Sequence, residues 1–162
     1  MATINVSSKS EDWRGRRLSN FSQDPFELDG VWFLSVEGFI QGTKFPEGDE
    51  RRIKAFGLAY IQAKHMAQGA ERKFIWWQGR TIPYASAEHR QLIERAIRAK
   101  FRQNYDAMKA LLSTDDATLT HDTGDPEPAD TSLPAVLFCG ILMAIRWEYY
   151  EYQERTKGAP GR

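Results

Sequence analysis

The chain has one cysteine, Cys139, in 162 residues, so no disulfide can form within it and its fold needs no oxidising compartment. It has no charge excess: 22 Lys and Arg offset 22 Asp and Glu. That balance excludes a general polyanion binder but leaves room for a local basic pocket that holds a phosphate. The three histidines, His65, His89 and His121, show no ligand spacing and, with a single Cys, make no zinc site. P-loop, GxGxxG and GxSxG patterns are all absent, and no cofactor is expected. The longest apolar run, near Leu133 to Ile145, is too short to span a bilayer. Met1 to Ser10 lacks a basic start followed by an apolar stretch, so no secretory signal is expected. These absences predict a cytoplasmic protein with no membrane partner.

What is present reads as one domain over residues 13–155, with residues 1–12 and 156–162 expected to be flexible ends. Phe26 to Phe33 predicts a hairpin, because Asp29-Gly30 favours the positive-φ positions of a type I′ turn. Ser35 is a candidate N-cap for a helix running to Phe45 and stopped by Pro46 and Gly48. Asp49 to Gln68 predicts one helix with Ile53, Phe56, Tyr60 and Ala63 on its apolar face and Gly69 after its end. Residues 70–85 read as irregular or short strand around Phe74-Ile75-Trp76-Trp77. A long helical segment over Ser86 to Leu112, with a break at Asn104, precedes a loop from Asp115 to Pro134. A last helix over Pro134 to Arg155 is apolar almost all round in its first half, which predicts a central position for it and an inert, buried Cys139. The fold class is mostly α (α+β), a compact helical domain with a small β-hairpin element.

Glu37 is the first candidate for chemistry. In the first turn of a helix its carboxylate meets the positive end of the dipole and free N–H groups, which predicts an ionised side chain. Such a group can stabilise an oxocarbenium-like centre, activate water or attack an anomeric carbon; an acidic residue here also serves helix stability alone. Gln41 and Lys44 follow at four and seven residues, on the same helix face. Asn20 could hold a ribose or base edge. Adjacent Trp76 and Trp77 cannot share a strand face, so one could be core and the other a stacking platform; Tyr84 could stack on the same terms. Asp122, Asp125 and Asp130 gather beside His121 in the late loop, where one of them could supply a second carboxylate. Their spacing is not that of a calcium loop.

Several blocks resemble the YbiA/NADAR family of small N-glycosidases. Leu18-Ser19-Asn20-Phe21, Pro25-Phe26-Glu27-Leu28-Asp29-Gly30 and Ser35-Val36-Glu37-Gly38-Phe39-Ile40-Gln41-Gly42-Thr43-Lys44-Phe45 are similar to its opening LSNF…PF.LDG…(S/T)VEH.(Y/F)QA.KF pattern. Arg98 to Asn104 resembles its RAKF.Q(N/H) helix, Leu111-Leu112-Ser113-Thr114 its LLxT ending, and Ile141 to Arg146 its closing LLM..R helix. The resemblance implies a compact, mostly α-helical domain and hydrolysis of an N-glycosidic bond in a riboflavin-pathway intermediate or an ADP-ribosylated base. The partner would be a small ribosyl-phosphate or ADP-ribosyl substrate, extending to ADP-ribosylated nucleic acid.

By the same resemblance Glu37 and Asp125 would be catalytic, with Asp122 or Asp130 as alternatives to Asp125. Ser19, Asn20, Phe21, Gln41 and Lys44 would bind substrate, and Trp77 or Tyr84 would stack the base. Where the family has a histidine after the glutamate this chain has Gly38, and the late D..WG segment is Asp125-Pro126-Glu127-Pro128. Two other readings use the same scaffold. One is a module that holds ADP-ribose or a nucleotide without cleaving it. The other is a phage- or toxin-associated interaction protein using Trp147, Tyr149, Tyr150 and Tyr152.

Overall fold

Asp29 and Gly30, with φ of 51° and 82°, turn the chain between β2 (Phe26–Leu28) and β3 (Val31–Phe33), which pair antiparallel. This is the left-handed turn the Asp-Gly pair predicts. The computed structural model describes residues 2–158; Met1 and residues 159–162, parts of the expected flexible ends, lie outside the described residues. Within them are seven helices and three two-stranded sheets, which makes the domain α+β and mostly helical.

The expected flexibility of residues 1–12 is corrected by β1 (Thr3–Asn5), which pairs in parallel with β6 (Thr118–Thr120). Val6 beside it is fully buried, and α1 (Trp13–Leu18) begins on an Asp12 cap that accepts from the Arg14 N–H at 2.8 Å. Ile4 and Val6 supply apolar area that no periodicity in so short a run could reveal. Ser35 caps α2 (Val36–Gly42), accepting from the Gly38 N–H at 2.9 Å and donating to the Leu58 carbonyl at 2.8 Å.

The single helix expected over Asp49 to Gln68 is two: α3 (Glu50–Phe56) and α4 (Tyr60–Met66). Between them the chain turns at Gly57, and the Tyr60 N–H leaves the helical ladder to donate to the Phe21 carbonyl at 2.9 Å. Ile53, expected on the apolar face, is 70% exposed because α3 buries Arg52, Ala55 and Phe56 instead. Residues 70–85 hold a second hairpin, β4 (Phe74–Trp77) with β5 (Arg80–Pro83), turned at Gln78-Gly79 with φ of 46° and 76°.

The long helix breaks where Asn104 predicts, into α5 (Ala87–Gln103) and α6 (Tyr105–Leu112). The Asn104 amide donates to the Pro25 carbonyl at 2.8 Å and the Lys100 carbonyl at 2.9 Å, fastening the break to β2. The last helix, α7 (Ala135–Lys157), runs two residues past the expected Arg155. It buries one face through Phe138, Cys139, Ile141, Leu142 and Ile145 but leaves Val136 exposed, so it is not encircled by the core. Burial pushes the Cys139 thiol up to about 11, as suits an inert core thiol. Among the described residues, no helix is long and apolar enough to cross a membrane.

His89 opens a pH dependence. It is almost fully buried, and its Nδ1 accepts from the Ala85 N–H at 2.9 Å. Burial first, then the charges of Lys44 and Arg90, push it down to about 4. An unfolded histidine protonates near 6.5 (roughly), so the unfolded chain binds the proton first as pH falls. The stability from a neutral His89 is therefore complete above about pH 6.5 and lost as pH falls through about 4, worth up to about 3 kcal/mol. Urea midpoints should fall over that window in the wild type and fall less in His89→Phe.

Candidate functional site

The Ser19–Ser22 turn and the start of α2 are bonded into one unit. The Glu37 N–H donates to the Asn20 carbonyl at 2.9 Å, so the loop that carries Asn20 and Phe21 also anchors the helix that carries Glu37. Below the turn lies Lys100, fully buried on α5. Its Nζ donates to the Ser19 carbonyl at 2.9 Å and the Ser22 hydroxyl at 2.8 Å, with Asp24 at 3.9 Å. Burial pushes this ammonium down to about 8, against the pull of Asp24. The Arg-Ala-Lys-Phe block thus acts under the site, not in it.

Ser19, Asn20, Phe21, Glu37, Gln41, Lys44 and Tyr84 all line one cavity of about 250 Å³. Gln41 links the charges at its centre. The Lys44 ammonium can only donate, and does so to Gln41 Oε1 at 2.8 Å; the Gln41 amide then donates to Glu37 Oε1 at 2.7 Å. Lys44 lies 5.9 Å from the Tyr84 ring, and the Lys64 ammonium 6.0 Å from the Phe21 ring, both within cation–π range.

Glu37 corrects the expected ionisation. Burial raises its carboxyl above the ordinary range, outweighing the hydrogen bond from Gln41 and the charges of Lys44 and Lys64. The first-turn position counts for less than desolvation because a buried carboxylate loses its water. Lys44 is displaced the other way: burial lowers it, Glu37 raises it. A carboxyl held toward its neutral form beside cations can donate a proton to a leaving group and then stabilise positive charge on the fragment left behind.

Two expected site residues are elsewhere. Trp77 is core: its ring lies 5.5 Å from Phe39 and 6.0 Å from Phe33, and its Nε1–H donates to Asp29 at 3.2 Å. Strand alternation decides this, sending Ile75 and Trp77 inward and Phe74 and Trp76 to the half-buried face. The stacking candidate left on the cavity wall is Tyr84. Asp125 is exposed in the late loop and does not line the cavity. Neither alternative replaces it. The Asp122 carboxylate accepts from the Gly124 N–H at 2.8 Å, and Asp130 pairs with Arg72 at 3.3 Å near the surface. The loop instead turns Thr123, Pro128, Thr131 and Leu133 toward the cavity, which leaves its carboxylates hydrated.

Among the titratable residues on the cavity wall, the sequence does not mark Lys64, Arg72 or His121 as part of the site. Lys64 lies on a helix that the single-helix reading left undivided, and Arg72 and His121 lie in irregular segments, so no pattern marked them. The packing of α2 against the end of α3 and the residues after it explains Gly38: a Cβ there would lie 2.5 Å from the Ala55 carbonyl and 2.7 Å from the Leu58 carbonyl. No histidine fits where the resembled family places one. Among the described residues, no group of three His, Cys, Asp or Glu side chains is arranged to hold a metal ion.

A larger open groove of about 630 Å³ adjoins the cavity through Ser8 and Phe21, lined by Trp13, Arg16, Arg17, Tyr60 and Lys109. Its one carboxylate, Asp106, is exposed, so the smaller cavity is the better candidate for chemistry. The smaller volume, about 250 Å³, is just below the usual range for ligand pockets and suits a sugar phosphate better than a whole dinucleotide.

The sequence pattern of the bacteriophage protein GP30.3 family matches residues 12–147. A 17.1 kDa protein from the Gp30–rIII intergenic region of Enterobacteria phage T4 is 30% identical over 139 residues, 83% of this chain and 91% of that relative. The NMR structure of the E. coli protein YbiA is similar at a TM-score of 0.66 and 24% identity, over 94% of this chain and 87% of YbiA. The likeness to YbiA is one of fold, and it agrees with the blocks from which the sequence resemblance was drawn.

Proposed function

The chain belongs to the bacteriophage protein GP30.3 family, and from that membership, the YbiA-like fold and the cavity we propose that it hydrolyses an N-glycosidic bond of a ribosyl-phosphate or ADP-ribosyl compound. The observation that carries this is a buried carboxyl, Glu37, held above its ordinary range inside a cavity with Lys44, Lys64 and Arg72 on its walls. Glu37 protonates the departing base; the carboxylate so formed then stabilises the oxocarbenium-like sugar. Gln41 holds that carboxyl in place and passes the influence of Lys44 to it. Lys44, Lys64 and Arg72 take the phosphate, Asn20 a ribose hydroxyl, and Tyr84 a face of the base.

A receptor for the same compounds is the second reading, favoured because Glu37 is the one carboxylate that lines the cavity among the described residues. Incubation with NAD, an ADP-ribosylated guanine oligonucleotide and pyrimidine N-ribosyl phosphates separates the two, with free base followed by mass spectrometry. Hydrolysis predicts base release from at least one compound. Calorimetric binding without release would replace the enzyme with the receptor.

A further inference from the structure

The late loop provides no carboxylate to the cavity, yet hydrolysis needs a group to take the proton of the attacking water. We propose that His121 is that catalytic residue, acting through Nε2 as the general base opposite Glu37. The inference rests on the glycosidase reading and names a group that reading leaves open.

His121 follows β6 directly and lines the cavity with Glu37. Its Nδ1 lies 2.6 Å from the Val6 carbonyl oxygen. A carbonyl only accepts, so Nδ1 carries a proton, and the neutral ring keeps its lone pair on Nε2. The tether is rigid: Val6 is fully buried, and its N–H donates to the Thr120 carbonyl at 2.7 Å, continuing the β1–β6 pairing. Phe138 meets the imidazole edge-on at 5.4 Å and limits its rotation. Among the described residues, Nε2 makes no hydrogen bond, so it is open to a ligand or water. The strand of residues near the N-terminus thus acquires a purpose in the site: it sets the tautomer of the base.

The step balances. As the bond between the anomeric carbon and the base nitrogen breaks, its electron pair leaves with the base, which takes the Glu37 proton. The water oxygen bonds to the anomeric carbon and gives its proton to His121 Nε2. Proton transfer through solvent from the imidazolium to the Glu37 carboxylate restores both groups.

The test uses wild type, Glu37→Gln, His121→Ala and His121→Asn on whichever compound of the panel above the wild type cleaves, with and without added azide. The Asn amide can still donate to the Val6 carbonyl but offers no base at the Nε2 position, so it separates proton transfer from folding. Both His121 variants are expected to lose about a hundredfold in turnover with little change in KM. Azide needs no deprotonation, so it should restore turnover in both and yield the ribosyl azide, and should do neither for Glu37→Gln. Full turnover in His121→Asn, or no azide product from either His121 variant, would overturn the assignment. Should His121→Ala fail to fold, His121→Asn decides alone. A wild type that cleaves nothing removes the glycosidase reading and this inference with it. A wild type that depends on Glu37 but not on His121 removes only the inference.

Discussion

Glu37→Gln is expected to lower turnover about a thousandfold and to leave the protein at least as stable as wild type. The two halves of this result have one cause. Burial holds the Glu37 carboxyl above its ordinary range, which means that ionising it costs the folded state. A carboxyl raised in the folded state contributes stability that is complete below its unfolded pKa and is lost as pH rises through the folded value. Gln carries no charge to desolvate, and its carbonyl oxygen can still accept from the Gln41 amide, as Glu37 Oε1 does at 2.7 Å. At neutral and alkaline pH the variant should therefore melt no lower than wild type. It has no proton to give to a departing base and no negative charge to set against the sugar cation, so turnover falls on both counts. Parallel kinetics and thermal melts check this. Lost activity with a lowered melting temperature would make Glu37 a structural residue.

Gly38→Ala is expected to be the most destabilising small change in the site. The added Cβ would meet the backbone carbonyls of Ala55 at 2.5 Å and Leu58 at 2.7 Å. Neither is the end of a flexible side chain. Relief requires α2 to move away from the α3–α4 connection, and Leu58 also accepts from the Ser35 hydroxyl that caps α2. Overpacking against fixed backbone costs about 3 kcal/mol or more, roughly a 10 °C fall in melting temperature for a domain of this size. Gly140→Ala is the control: nothing lies within 4 Å of a Cβ there. Replacing an exposed helical glycine by alanine should raise stability by about 0.5–1 kcal/mol. Equal melting temperatures for the two variants would contradict the packing described around α2.

The elements that the sequence announces are those with strong local chemistry. Asp29-Gly30 forces a left-handed turn, Ser35 caps α2, and Asn104 breaks the long helix. Glu37, Gln41 and Lys44 share a face by helical geometry alone, and the cavity keeps all three. The rest depends on partners remote in sequence. β1 is ordered because it pairs with β6, more than a hundred residues later, through registers such as Ile4 with Leu119. Asp49 to Gln68 has continuous helical periodicity, and only the bond from the Tyr60 N–H to the Phe21 carbonyl shows why it bends. Trp76 and Trp77 cannot be told apart until the strand's inner face is known. The late loop held the largest error: its aspartates mark it as polar but do not say which way they point, and the inward residues are Thr, Pro, Ser and Leu. The sequence places His121 beside the late-loop aspartates but gives it no role, because its value as a base lies in the Val6 carbonyl, which no spacing rule connects to it.

Single-turnover hydrolysis in water enriched in oxygen-18, read by mass spectrometry on sugar and base together, tests the glycosidase reading most directly. Breakage of the N-glycosidic bond predicts one heavy oxygen at the anomeric position of the released sugar, an unlabelled base, and neither product from Glu37→Gln. Label in the base, a product that forms equally well without the Glu37 carboxyl, or tight binding with the compound recovered intact would contradict it.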